Sequence, residues 1–280
     1  MTQIMGQPSA READPADELL RCFGRQMKIL RERAGLTQAA LAQRIGYSEA
    51  QIAAIEQGRR IPRPETIDRL DSLLDGGGML LAMKQAIALA RYPAFFRDAA
   101  RIEETAVEFH QYAPLIVPGM LQTEDYARTM FAVWRPRRHE AEIEQMVAAR
   151  LARHKLFSRR PSPVLSFVLE EAVLQRPIGG FEVLRGQLEH LLLTAENPNV
   201  EIQVMPTLAT DHACVDGPFT LMVPEGGEQV AYLESQGSGR VIIDRELVRG
   251  IAARYGIIRA QALSPMESMR RIEKLLQGDS

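Results

Sequence analysis

A chain of 280 residues exceeds what one small hydrophobic core usually organises, so two domains are expected. Its 46% hydrophobic and 25% charged residues exclude extensive disorder. A formal net charge of -2 would argue against nucleic-acid binding if charge were evenly spread, but Arg21 to Arg63 holds nine basic residues against Glu32, Glu49 and Glu56, a local +6.

In chain order, residues 1–17 are polar and rich in Pro, Ala and acid, which predicts a disordered tail. Leu20, Phe23, Met27 and Leu30 then recur at helical spacing, with Arg25, Lys28, Arg31 and Arg33 on the other face, up to Gly35. Thr37 can cap a short second helix bearing Leu41, Ala42 and Ile45, and Gly46 supplies a left-handed end. Ser48 and Gln51 have the spacing of a capping box, which starts a third short helix with Ile52 and Ile55 that ends at Gly58. A tight glycine-containing joint between two short amphipathic helices leaves the second one projecting. Pro64 suits the first turn of a fourth helix carrying Ile67, Leu70, Leu73 and Leu74. Gly76, Gly77 and Gly78 form the clearest breaker, which places a domain boundary between 76 and 77.

Beyond it, helices are expected at Leu80 to Tyr92, Ala94 to Ile102, Thr123 to Met130, Glu140 to Phe157 and Phe181 to Ala195. Strands are expected at Ala106 to Tyr112, 163–169, 200–205, 218–223 and 229–234. Ser264, Pro265 and Glu267 open a closing helix to about Leu276. The fold class is therefore an N-terminal all-α domain (18–76) followed by a larger mixed α+β domain (77–280).

The string from Met27 to Leu74, MKILRERAGLTQAALAQRIGYSEAQIAAIEQGRRIPRPETIDRLDSLL, resembles the XRE family, the phage repressor and Cro type of helix-turn-helix regulator. That resemblance implies about five helices and binding to double-stranded DNA in the major groove. It gives Gln38 a phosphate contact at a helix N-terminus, turns Glu49, Ala50 and Ala54 toward base edges, and lets Gln51 reach a base or the backbone. Arg59 and Arg60, just after the reading helix, are expected to hold phosphates, and Ser48 caps that helix. The projecting helix offers no Arg or Lys, so groove shape and dimer spacing would supply part of the specificity.

The segments QYAPLIVPGMLQTEDYAR, AARLARHKLF, VLEEAVLQRPIGG, QLEHLL, NPNVEIQVMP and RAQALSPMESMRRIEKL resemble the domain that follows the helix-turn-helix in WhiJ-like actinobacterial regulators. It implies an effector or partner-binding module and a small companion protein, and a homodimer is expected because a single small helical domain would bind DNA too weakly alone. No enzyme is expected. Adjacent Glu170 and Glu171 on a strand would face opposite ways, one hydrogen-bonded at the strand end and the other solvated. Asp211, His212 and Cys214 are too close in sequence to form a nucleophile and its base, with Cys214 instead a small buried group. His110, His139, His154, His190 and His212 lack ligand spacing, so neither a metal nor a cofactor is expected. Arg135, Arg137, Arg138, Arg159 and Arg160 form a second basic cluster that reads as a solvated surface ahead of a DNA or acidic-partner contact. Tyr112, Met120, Tyr126 and Trp134 read as core before ligand pocket.

Only Cys22 and Cys214 are present, far apart, which argues against a disulfide framework. The first residues hold no signal-peptide run and no stretch has the apolar length of a membrane span, so a cytoplasmic protein is expected. The rival function is an antitoxin-like adaptor acting through a small companion protein.

Overall fold

The structure, a computed structural model, describes residues 15–90, 92, 96–135, 137–213, 215–236 and 238–278. It divides into two compact units, Met1–Ala94 and Phe95–Ser280. Among the described residues, no helix is long and apolar enough to cross a membrane.

The first unit is all helical: α1 (Pro15–Arg33), α2 (Gln38–Ile45), α3 (Glu49–Glu56), α4 (Pro64–Leu73), α5 (Met79–Ala82) and α6 (Lys84–Ala90). The tail expected over 1–17 lies outside the described residues as far as 14. From Pro15 the chain is helical, with Ala16 buried. A proline in the first turn, followed by Asp17 and Glu18 near the positive end of the helix dipole, explains the earlier start. Thr37 caps α2 through the Ala40 N–H at 3.1 Å, Gly46 is left-handed at φ 74°, and Ser48 and Gln51 form the reciprocal box at the head of α3. Leu20, Phe23, Met27 and Leu30 of α1 pack with Leu41, Ile45, Ile52, Ile55, Ile67 and Leu70 in one core.

The triple glycine is not the domain boundary. Asp71 is buried, and its carboxylate accepts the N–H groups of Gly78 at 2.8 Å and Leu80 at 2.9 Å. A Cβ on Gly76 would lie 2.5 Å from Asp71 Oδ1, so the glycines let the chain wrap tightly around that carboxylate. The turn returns α5 and α6 to the helical core, where Leu80 and Ile87 are fully buried. The single helix expected from Leu80 to Tyr92 is two, parted at Met83.

The second unit contains α7 (Arg97–Thr105), β1 (Ala106–Ala113), α8 (Glu124–Ala132), α9 (Glu140–Ala152), β2 (Val164–Glu170), α10 (Glu171–Gln175), α11 (Phe181–Ala195), β3 (Val200–Met205), β4 (Phe219–Pro224), β5 (Val230–Ser235), β6 (Ser238–Ile242), α12 (Arg245–Gln261) and α13 (Pro265–Gln277). The sheet order is β3-β2-β1-β4-β5-β6, with β1, β2 and β3 parallel and the remaining pairs antiparallel. β2 is buried on both faces, as parallel strands between helical layers are. Phe109, Phe167, Ile202 and Met222 face a core completed by Leu184, Leu188, Leu191 and Ile272, while Tyr112, Val168, Leu221 and Ala231 face Val248, Tyr255 and Ile258 of α12. The mixed α+β architecture is as expected, with β6, α10 and α12 additional to the predicted elements.

Candidate nucleic-acid interface and the polar clusters of the second unit

The helices α2 and α3 are joined only by Gly46, Tyr47 and Ser48, and Tyr47 Oη shares a hydrogen bond of 2.8 Å with Thr66 Oγ1 of α4. The joint is thus clamped to the helix behind it. On α3, Ile52, Ile55 and Glu56 are buried, and advancing by 100° per residue puts Ala50, Ala54 and Gln57 opposite them on the outward face, with Ala53 at the flank and Glu49 in the first turn, nearer the buried side by angle yet exposed. Gln57 was missed as a candidate, although the same arithmetic applied to the sequence finds it. Ala53 and Ala54 are both half-buried.

Beneath this face lies a buried ion pair. Arg31 Nε donates to Glu56 Oε1 at 2.5 Å and Nη2 donates to Oε2 at 3.2 Å, with side chains 8% and 3% exposed. Nη1 of Arg31 also holds the Leu36 carbonyl at 2.7 Å. The hydrogen bond to Glu56 outweighs burial and keeps the Arg31 pKa above its ordinary value. Glu56 Oε2 accepts a further bond from Gln38 Nε2 at 2.6 Å, so the internal pair fixes the orientation of the first residue of α2. That bond uses one of the two hydrogens on Gln38 Nε2, and the other remains a donor beside the N–H groups of the helix start.

The sequence-predicted residues differ in what they have left to offer. Gln51 Oε1 accepts the Ser48 N–H at 2.9 Å and Ser48 Oγ accepts the Gln51 N–H at 3.2 Å, so the Gln51 side-chain carbonyl is engaged in the cap, and its NH2 group has no partner among the described residues. Glu49 and Ala50 are exposed. Past α3, the Arg59 and Arg60 N–H groups both bond to the Ala54 carbonyl, at 2.8 and 3.2 Å, and Arg59 Nε reaches Gln57 Oε1 at 2.7 Å. Gly58 is left-handed, and a Cβ there would lie 2.8 Å from the Arg21 backbone nitrogen. Gly24 admits the other close approach, since its Cβ would lie 2.4 Å from the Glu56 carbonyl oxygen. Both glycines are there so that α1 can press against the end of α3.

In the second unit, Glu170 and Glu171 both have partners, correcting the expectation that one is solvated. The strand ends at Glu170, and Glu171 begins α10, so the two diverge. Glu170 Oε1 accepts from Tyr112 Oη at 2.8 Å and meets His212 Nε2 at 2.8 Å. Glu171 accepts the Thr207 N–H at 2.9 Å and is paired with Arg271. Burial pushes its carboxyl up, but those two donors hold it below the ordinary range. Cys214 lies outside the described residues. Tyr112, Met120 and Tyr126 are buried core residues, whereas Trp134 is 36% exposed.

The second basic cluster is largely engaged with its own unit. Arg135 donates to the carbonyls of Ala132, Val133 and Trp134 at the end of α8, Arg138 pairs with Glu142 over the Trp134 ring, and Arg159 holds the carbonyls of Glu104 and Ala106. Arg160 bonds Ser162 at 2.7 Å. The histidines His154 and His190, distant in sequence, stack with centroids 5.8 Å apart, and burial lowers the pKa of both. Among the described residues, no three His, Cys, Asp or Glu side chains are placed to hold a metal ion.

Residues 23–82 match the family described as a helix-turn-helix domain, and residues 96–274 match the one described as Domain of unknown function (DUF5753). No curated protein and no solved structure matches the chain. The helix-turn-helix match coincides with the clamped α2–α3 pair, the arrangement that places a helix in the major groove of DNA. The second match spans more than half of the sequence, and the chain therefore belongs to the DUF5753 family, carrying a helix-turn-helix DNA-binding domain ahead of the family's own domain.

Proposed function

We propose that the chain is a sequence-specific transcriptional regulator that binds double-stranded DNA as a homodimer, with a non-enzymatic second unit that receives a signal or a partner. The observation that carries this reading is the outward face of α3 held over the Arg31–Glu56–Gln38 linkage, with Arg59 and Arg60 at its end. In this reading the start of α2 rests on phosphate through Gln38, Glu49 and Ala50 meet base edges, and Arg59 and Arg60 hold the backbone. Glu49 accepts from a cytosine amine. One such domain makes few contacts, and two-fold pairing doubles them while fixing half-site spacing. A DNA-bound role puts the protein in the cytoplasm, with the chromosome.

The test is fluorescence anisotropy on operator fragments selected from random duplexes, across a salt series. Arg59→Ala with Arg60→Ala should lower the slope of log K against log salt by about 2, one for each phosphate contact removed. If wild type selects no motif, the regulator reading fails. A second reading, an adaptor acting mainly on a small companion protein, draws on the absence of Arg and Lys from α3. It gains if Glu49→Ala and Ala50→Ser leave DNA affinity unchanged.

A further inference from the structure

Buried cations in proteins are almost always paired, because a guanidinium removed from water loses its hydration. Three low-exposure arginines here obey the rule: Arg31 with Glu56, Arg153 with Glu103 through two bonds of 2.6 Å, and Arg271 with Glu171. Arg150, at the end of α9, does not. It is half-buried, and among the described residues its guanidinium makes one hydrogen bond, from Nη1 to the neutral Gln122 Oε1 at 2.7 Å. Its Cζ lies 4.2 Å from the centre of the Phe131 ring. Glu234 acts on it only through space, and burial followed by the charge of Arg153 pushes its pKa down to about 10.

The surroundings are shaped to hold this guanidinium in place. A Cβ on Gly119 would lie 3.2 Å from Arg150 Nε and 3.0 Å from Arg153 Nη1, so the glycine lets two guanidiniums converge on one stretch of backbone. Gln122 is fully buried, and its Nε2 donates to the Val117 carbonyl at 2.8 Å, which turns Oε1 toward Arg150. The Gln122 carbonyl also bonds one ring nitrogen of His154, whose Nε2 is buried without a partner. An uncompensated guanidinium and an orphaned imidazole nitrogen are thus both anchored on the same residue.

We propose that Arg150, backed by Gly119 and Gln122, is an oxyanion receptor: it takes the carboxylate or phosphate group of a small molecule. The planar fork of a guanidinium with free N–H groups matches two oxygens of such a group, and the neighbouring Arg153 adds positive potential although its own fork is occupied by Glu103. The site follows from geometry alone; only its use as an input to DNA binding rests on the regulator reading above.

The experiment follows the arginine Nε–H resonances of the full chain by NMR while inorganic phosphate, and separately acetate, is titrated against chloride at constant ionic strength. Arg150→Lys, which keeps the charge and loses the Nε–H, assigns the Arg150 signal. The expected result is a saturating shift of that signal with phosphate, acetate or both, identifying which oxyanion the site accepts. A shift shared by all arginines, or none, overturns the proposal. Arg150→Gln should melt close to wild type, whereas Arg153→Gln melts lower. If the two variants lose stability alike, Arg150 is structural and the receptor is refuted. A saturating shift with unchanged affinity for operator DNA keeps the receptor and removes the signal-receiving role from the regulator reading.

Discussion

The two units treat buried charge differently. In the helical unit, Arg31 is matched by Glu56, and the pair reaches through Gln38 to the surface that faces DNA in our reading, so an internal interaction sets the aim of an external one. In the sheet unit, Arg153 and Arg271 are matched in the same way, but Arg150 is not. The pKa directions mirror this contrast: Arg31 is held up by its carboxylate, and Arg150 is pushed down by burial. A matched cation braces the fold, while an unmatched one has binding capacity in reserve.

The largest test of this contrast is Glu56→Ala, which strands the Arg31 charge in the core. A loss of about 3–5 kcal/mol is expected. The single tryptophan, Trp134, belongs to the other unit, so helical circular dichroism should show the loss while Trp134 fluorescence reports little change. A loss under about 1 kcal/mol would show that the pair does not brace the unit and would break the comparison.

Acid sensitivity sharpens it next. Both His154 and His190 have folded pKa values below the ordinary value, so between the folded and unfolded pKa the unfolded chain binds more protons. Their contribution is present above pH 6.5 and is lost as pH falls below it, with a slope of up to about 1.4 kcal/mol per pH unit for each histidine. All five histidines lie at His110 or beyond. Denaturant midpoints between pH 7 and pH 5 should therefore fall when read by Trp134, and His154→Gln with His190→Gln should flatten that fall. An unchanged slope in the double variant would assign the acid sensitivity to other groups.

The smallest expected effect is that of Ser48→Ala. Loss of the cap on α3 should cost about 1 kcal/mol in thermal unfolding. Because the Gln51 amide is oriented by the same cap, operator affinity should fall as well, and unaltered affinity would detach Gln51 from the interface.

Most of the helical unit was legible in the sequence because its signals are local. The Thr37 cap, Ser48 with Gln51, the left-handed Gly46, the helix end at Gly58 and Pro64 in the first turn each act within one helical turn, and the structure contains each as read. The strands of the second unit were legible for a related reason, since the apolar run of β2 is a property of adjacent residues. The helix α12 was missed because Gly250 and Gly256 dilute its pattern, although Asp244 caps it at the Leu247 N–H.

Other features were settled only by tertiary structure, because they join residues far apart in the chain. Glu56 finds Arg31 across 25 positions, Glu103 finds Arg153 across 50, and Glu171 finds Arg271 across 100. The glycines at 76–78 carry the same local signal whether they form a linker or a turn, and it is Asp71, through Gly78 and Leu80, that makes them a turn. Composition and spacing show that Arg150 is a cation on a helix. That it lacks a counter-ion among the described residues depends on every carboxylate that could have reached it, and folding alone decides where those are placed.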